Sequence, residues 1–343
     1  MAETRDSAAP STPPTTAAQR HALELLAGAS RVVLCGHMRP DGDCLGSQAA
    51  LCAVLERLGK TVWIYNPDPV QPQLDYLERD VRFQVYKGGE LPVHDLAVML
   101  DFCELSRTGP IAAALGRSPS KKLIVDHHLF HGEPWWDGAY VDTTASATGV
   151  LVRRIARGLG VTLDARIARG VFTAIVTDTG WFKYSNTDAE TFSIAGELTA
   201  SGVEPAPIYA SIYQRNSRTQ PLGVARALSR LEYVADGRIA VVDLPLPAPG
   251  EAELPDGDDV LDLLRAVGRV EVVLFLREIE GGTVKLSARS KGAFDVNRLA
   301  RGFGGGGHAK ASGATIGGAL GEVRARLVAA AVAQLSSAES VAR

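Results

Sequence analysis

The chain is poor in cysteine: 4 thiols in 343 residues, at positions 35, 44, 52 and 103, with no CxxC pair among them. That excludes a disulfide-stapled scaffold and a thiolate zinc site, and suits a reducing, cytoplasmic setting. Long apolar runs are missing as well. None approaches the roughly 20 residues that a membrane span needs, so no membrane association is expected. The stretch Met1–Gln19 is rich in Ala, Ser, Thr and Pro without an apolar core, so it reads as a disordered tail rather than a secretory signal. Neither sign of charge dominates, with 36 Lys and Arg against 39 Asp and Glu and a net charge of −3. Such a balance argues against a broad basic surface gripping long nucleic acid, yet leaves room for a small anion in a focused site.

What remains is a globular composition, 46% hydrophobic and 22% charged. At roughly 150 residues per domain, the length predicts two domains. From Arg20 onward, short β-branched runs alternate with helical spacing. Strands are predicted at Arg31–Cys35, Thr61–Tyr65, Leu96–Leu100 and Lys122–Val125, with helices over Leu45–Leu58, Thr108–Leu115, Ser146–Leu159, Asp164–Thr177 and Ala189–Ser201. This alternation specifies α/β architecture with a parallel sheet. A polar helical stretch over 204–233 reads as a connector. Beyond it, strands at Arg238–Asp243, Val270–Leu276 and Thr283–Ala288 and a helix at Val260–Val267 suggest a second, smaller βα unit. The expected layout is therefore a tail over 1–19, a catalytic domain over 20–203, the connector, a substrate-binding domain over 234–335 and a tail over 336–343.

Four segments carry chemistry. His37-Met38-Arg39-Pro40-Asp41-Gly42-Asp43 follows the first strand, Asp101 caps the third, Asp126-His127-His128 follows the fourth, and Asp178 closes a helix. Ligands of open parallel sheets bind at the carboxyl ends of the strands, so three of these segments converge without further assumption. Asp and His donors without thiolate suit Mn²⁺ or Mg²⁺-like ions. Taken singly, each has a plainer reading: an Asp after a strand caps a helix, adjacent histidines form a hydrogen-bonded pair, and Asp126 orients a histidine instead of touching metal. The joint pattern is far more specific than its parts.

The second half carries Arg289 and a glycine-rich run from Gly302 to Gly313 containing Gly305-Gly306-Gly307-His308. Glycines let backbone N–H groups approach an anion, and a helix starting there would add its positive end. No GK[ST] follows, so this is not a P-loop. From the glycines alone a flexible hinge is the plainer reading, and Arg289, His308 and Lys310 shift it towards phosphate. Trp135-Trp136 could stack a base but more simply packs a loop.

Together, His37–Asp43, Asp101, Asp126-His127-His128 and Asp178 resemble the four motifs of the DHH phosphoesterase superfamily, and Arg289 with the GGGH run resembles its DHH-associated second domain. The resemblance spans about Arg20 to Gln334 and is nearest to the short nanoRNase branch, whose members combine oligoribonuclease and 3′-phosphoadenosine-5′-phosphate phosphatase activity. It implies two Mn²⁺ ions, with Mg²⁺ or Co²⁺ as substitutes, in a cleft between the domains. His37 and Asp41 would hold one ion, Asp43, His127 and Asp178 the other, and Asp101 would bridge them. Asp101, Asp126 and His128 would be the catalytic set, with His128 also touching the scissile phosphate. Arg289, Gly305, Gly306, Gly307 and His308 would bind the substrate from the second domain. The implied substrate is short RNA or a small nucleotide, hydrolysed by a homodimer. Cyclic-dinucleotide hydrolysis and a non-catalytic nucleotide sensor are the alternatives.

Overall fold

The computed structural model describes residues 16–130, 132–247 and 257–341. The chain forms two compact units that divide after Arg215. Most of the expected 1–19 tail lies outside the described residues, but a helix, α1 (Ala17–Gly28), already begins within it, with the Thr16 side chain accepting from Gln19 N.

The first unit continues as β1 (Arg31–Cys35), α2 (Gly42–Arg57), β2 (Thr61–Asn66), a 3₁₀ stretch (Pro72–Arg79), β3 (Phe83–Val85), β4 (Leu96–Leu100), a 3₁₀ turn (Leu105–Thr108), α3 (Ile111–Arg117), β5 (Lys121–Asp126), β6 (Gly138–Val141), α4 (Thr148–Gly158), α5 (Ala165–Asp178), α6 (Ala189–Ala200) and α7 (Pro205–Tyr213). Its six strands form one sheet in the order β3-β2-β1-β4-β5-β6. Every pairing is parallel, as the expected α/β pattern requires. Strand alternation sends Val32 and Leu34 into a core with α1, α2, α4 and α5, while Val33 and Cys35 face the opposite layer. Strand order reverses direction between β1 and β4, which makes their carboxyl ends a switch point.

Two local corrections follow from capping. The helix expected from Leu45 starts at Gly42, because Asp41 accepts from Cys44 N at 3.1 Å; Asp43 is therefore helical. The helix expected over Thr108–Leu115 is split into the 3₁₀ turn and α3 at Gly109-Pro110, where Gly109 has φ +54°.

The second unit holds α8 (Gln220–Leu228), β7 (Leu231–Val234), β8 (Ile239–Leu244), α9 (Gly257–Arg265), β9 (Val272–Ile279), β10 (Thr283–Ser290), α10 (Val296–Arg301), β11 (Gly306–His308), β12 (Ala311–Gly317) and α11 (Leu320–Val341). The expected helical connector over 204–233 thus comprises two helices, one in each unit, and the start of a strand. The sheet, ordered β11-β12-β10-β9-β8-β7, is mostly antiparallel; only β8 and β9 run parallel, joined through α9. The β8-α9-β9 crossover is the expected βα unit, and the turn Glu280-Gly281-Gly282, too short to join parallel strands, makes β9 and β10 antiparallel. The expected 336–343 tail is helical as far as Val341. Among the described residues no helix is long and apolar enough to cross a membrane.

Candidate metal centre

Eight of the sequence-selected side chains meet at the switch point. His37 follows β1, Asp41 and Asp43 open α2, Asp101 follows β4, Asp126 ends β5 with His127 and His128 behind it, and Asp178 ends α5. Glycine packing sets these elements close. A Cβ on Gly46 would stand 2.5 Å from Gly170 O, and one on Gly170 would stand 2.7 Å from Gly46 O, so α2 and α5 touch backbone to backbone. Asp43 and Asp178 ride on those two helices. Asp101 adopts φ +72°, a conformation uncommon for residues other than glycine and concentrated at functional sites.

The histidine tautomers follow from their partners. His37 Nδ1 lies 2.9 Å from Met38 O and His127 Nδ1 lies 3.0 Å from Ala145 O. A carbonyl can only accept, so both Nδ1 atoms are assigned the proton and both Nε2 atoms keep a lone pair. His37 Nε2 faces Asp101 Oδ2 at 3.5 Å and Asp41 Oδ1 at 3.9 Å. His127 Nε2 faces Asp43 Oδ2 and Asp101 Oδ1 at 3.6 Å and Asp178 Oδ2 at 3.7 Å. That His127 nitrogen is buried and has no hydrogen-bond partner among the described residues. Lone pairs converging on carboxylate oxygens beyond hydrogen-bond range repel one another unless a cation stands among them. The donor set therefore fits divalent metal. His37, Asp41 and Asp101 form one group that could hold an ion, Asp43, His127 and Asp178 another, and Asp101, His127 and His128 a third, with donor atoms within 4.8 Å of one another in each group.

Electrostatics agree. Burial, and then the charges of Asp101 and Asp178, push the Asp43 carboxyl well above the usual carboxylate range. Burial and the charge of Asp41 do the same to Asp101. His128 differs from the other two histidines. Its Nδ1 lies 2.8 Å from Asp126 Oδ1, which raises its pKa to about 9 and leaves it an imidazolium at neutral pH. Burial alone would raise Asp126, but hydrogen bonds from His128 and from the Cys103 thiol outweigh it and hold that carboxyl low. Asp126 thus contacts His128 and the backbone N–H groups of His127 and His128, as an orienting group does.

The DHH family, N-terminal domain, matches residues 31–175, and the DHHA1 domain matches residues 256–337. A bifunctional oligoribonuclease and PAP phosphatase, NrnA, of Thermus thermophilus is 33% identical over 291 residues, covering 84% of this chain and 84% of that protein. The chain belongs to the DHH family of phosphoesterases. A cyclic-di-AMP phosphodiesterase, GdpP, of Geobacillus thermodenitrificans is 25% identical over 89% of the chain but only 48% of its own length. Among solved structures, an exopolyphosphatase-related protein of Bacteroides fragilis superposes with a TM-score of 0.83 at 26% identity, covering 95% of this chain and 97% of that one.

Several contacts in this DHH-family centre escape sequence inspection. Thr148 donates its backbone N–H to Asp43 Oδ2 at 2.7 Å and its hydroxyl to Asp101 Oδ1 at 2.9 Å. Gly149 N and the Ser47 hydroxyl also donate to Asp43. Asp43 so caps α4, whose preceding residue, Ala147, supplies no cap of its own. Asn186 Nδ2 donates to Asp178 Oδ2 at 3.2 Å. Trp135 donates its indole N–H to Cys103 O and packs with Trp136 in the adjoining apolar cluster, in keeping with the loop-packing reading.

In the second unit, Arg289 Nη2 donates to Asp258 Oδ1 at 2.7 Å. The glycine run opens the β11–β12 hairpin instead of a helix, so no helix dipole is added there. A Cβ on Gly307, at φ +138°, would stand 2.6 Å from Ala311 O, so strand packing itself demands that glycine. His308 lies in β11, and its side chain is outside the described residues.

Proposed function

We propose that the chain is a Mn²⁺-dependent hydrolase of short oligoribonucleotides that also converts 3′-phosphoadenosine-5′-phosphate to AMP. The unpartnered His127 Nε2 facing three carboxylates carries the metal part of this reading. The Thermus relative, matched over most of both chains, supports the substrate part.

His37, Asp41 and Asp101 would hold one ion and Asp43, Asp101, His127 and Asp178 a second. Divalent ions bound there supply Lewis-acid activation of water and neutralise phosphate charge. The protein's own groups do the rest. Thr148 and Ser47 fix the Asp43 and Asp101 carboxylates, so their orientation is set before substrate arrives. Asp126 holds the His128 ring and its proton, leaving the opposite ring nitrogen of the imidazolium to hydrogen-bond a phosphate oxygen and to protonate the departing oxygen. Arg289 and the Gly305–Gly307 backbone would bind the far end of the substrate, with Arg289 exchanging Asp258 for phosphate. The enzyme would act as a cytoplasmic homodimer, its four buried thiols suited to that compartment.

Hydrolysis of a matched panel tests the reading: a dinucleotide RNA, a 24-mer RNA, 3′-phosphoadenosine-5′-phosphate, cyclic di-AMP and pyrophosphate, each with Mn²⁺ and with chelator. Chelator-sensitive cleavage of the dinucleotide and the bisphosphate, with the 24-mer spared, is the expected result. Preference for cyclic di-AMP would favour a second reading, suggested by the GdpP relative. No turnover of any substrate would leave a non-catalytic nucleotide sensor.

A further inference from the structure

Two arginines flank the first donor group. Arg107 sits in the 3₁₀ turn after β4, and its carbonyl accepts the Met38 N–H at 2.7 Å, which ties the turn to the loop carrying His37. Its half-buried guanidinium has no hydrogen bond or ion pair among the described residues. Arg39 lies two residues beyond His37. Its backbone is held at φ +53° by Asp68, whose Oδ2 accepts the Arg39 N–H at 2.7 Å. The Arg39 guanidinium is exposed and likewise unpaired among the described residues. A non-glycine residue held left-handed beside a catalytic centre stores strain that function commonly explains.

Beside them lies the first donor group, His37, Asp41 and Asp101, a cluster fit for a divalent ion. Unpaired guanidinium groups next to such a cluster have one obvious complement, an anion arriving with the substrate. We propose that Arg107 and Arg39 anchor the substrate's scissile phosphate, and that they favour a doubly charged terminal phosphate over the singly charged phosphodiester of RNA. The inference rests on the phosphoesterase reading above and adds the residues that divide its two substrate classes. A terminal phosphate carries close to two charges at neutral pH, and a diester carries one. Paired arginines therefore gain more from the former.

The test compares Arg107→Gln and Arg39→Gln with wild type in Mn²⁺, using 3′-phosphoadenosine-5′-phosphate and an unphosphorylated dinucleotide RNA. Losing one charge-assisted contact should raise KM for the bisphosphate about tenfold in Arg107→Gln and less in Arg39→Gln. The dinucleotide KM should move by no more than about threefold. Calorimetric titration with inorganic phosphate supplies a readout without turnover, and affinity should fall about tenfold in Arg107→Gln, with partial rescue in Arg107→Lys. Both side chains lie outside the core, so melting temperatures should match wild type. Equal KM changes for the two substrates, or unchanged phosphate affinity, would overturn the proposal. Failure of wild type to hydrolyse either substrate would instead defeat the phosphoesterase reading, while the phosphate titration would still judge the arginines.

Discussion

Asp101 Oδ2 and His37 Nε2 stand 3.5 Å apart, and each directs a lone pair at the other. Nothing in the protein alone rewards this contact. Asp101→Asn would place an amide N–H where it can donate to His37. In chelator, the variant should therefore melt above wild type, because a buried like-charge repulsion is also relieved. In Mn²⁺ its melting temperature should rise less than that of wild type, and turnover should fall about a hundredfold or more. A lower melting temperature in chelator would mean that the carboxylate serves the fold.

His128 should set the alkaline limb of activity. Its hydrogen bond to Asp126 raises the pKa to about 9, so the proton it offers is present below that pH and lost above it. The same shift contributes stability that is complete below the ordinary value of 6.5 and disappears as pH rises through about 9. His128→Gln should lower kcat about a hundredfold or more and remove the alkaline fall in rate. A wild-type profile flat to about pH 10 would rule out His128 as the acid.

The backbone contact between Gly46 and Gly170 should tolerate no added methyl. In Gly170→Ala, the new Cβ would meet Ala50 N and Gly46 O, both at 2.7 Å, so α2 and α5 must separate. Overpacking of this kind costs about 1–3 kcal/mol. Denaturant unfolding reads that loss directly. Because Asp43 and Asp178 ride on the separated helices, Mn²⁺ affinity should fall too. A variant with wild-type stability would show that the helices slide apart freely.

Acid sensitivity should begin at the opposite end of the sheet. Asp95 accepts from the Arg31 side chain at 2.9 Å and from the Arg31 and Ser30 backbone N–H groups at 2.9 and 3.0 Å, and its pKa falls to about 2 from 3.8. This group stabilises the fold above its ordinary pKa, and the contribution vanishes as pH drops through about 2. Melting curves of Asp95→Asn across that window should lose a step that wild type retains. Parallel curves for both proteins would show that Asp95 makes no linked contribution.

The centre was legible because its residues are few in kind and each sits beside a strand or helix end. His37, Asp101 and Asp126 follow β-branched runs that can only be buried strands, and in a parallel sheet such ends share one edge. The contacts that orient them were not legible. Thr148 lies 105 residues from Asp43 and nothing local marks it as a partner. Cys103 donates its thiol to Asp126 across 23 residues. Such pairings depend on how α4 and β5 dock, which no spacing encodes.

The second half was harder for a related reason. Its glycine run from Gly302 to Gly313 permits a hinge, an anion loop or a tight strand pairing with equal ease. Only the neighbours choose. Ala311 O beside Gly307 decides for a paired strand, and around the expected βα unit the sheet comes out largely antiparallel.

The sequence by itself determined the donor types, the parallel sheet of the first unit and the helix end that holds Asp178, because residue chemistry, strand periodicity and helical spacing act over a few neighbouring residues. Tertiary structure alone decided that His127 turns an unprotonated nitrogen towards three carboxylates, that Asp43 caps α4, and that Arg39 and Arg107 stay unpaired among the described residues. Tautomer, cap partner and free charge depend on which distant atoms come within about 3–4 Å, and that is fixed by packing.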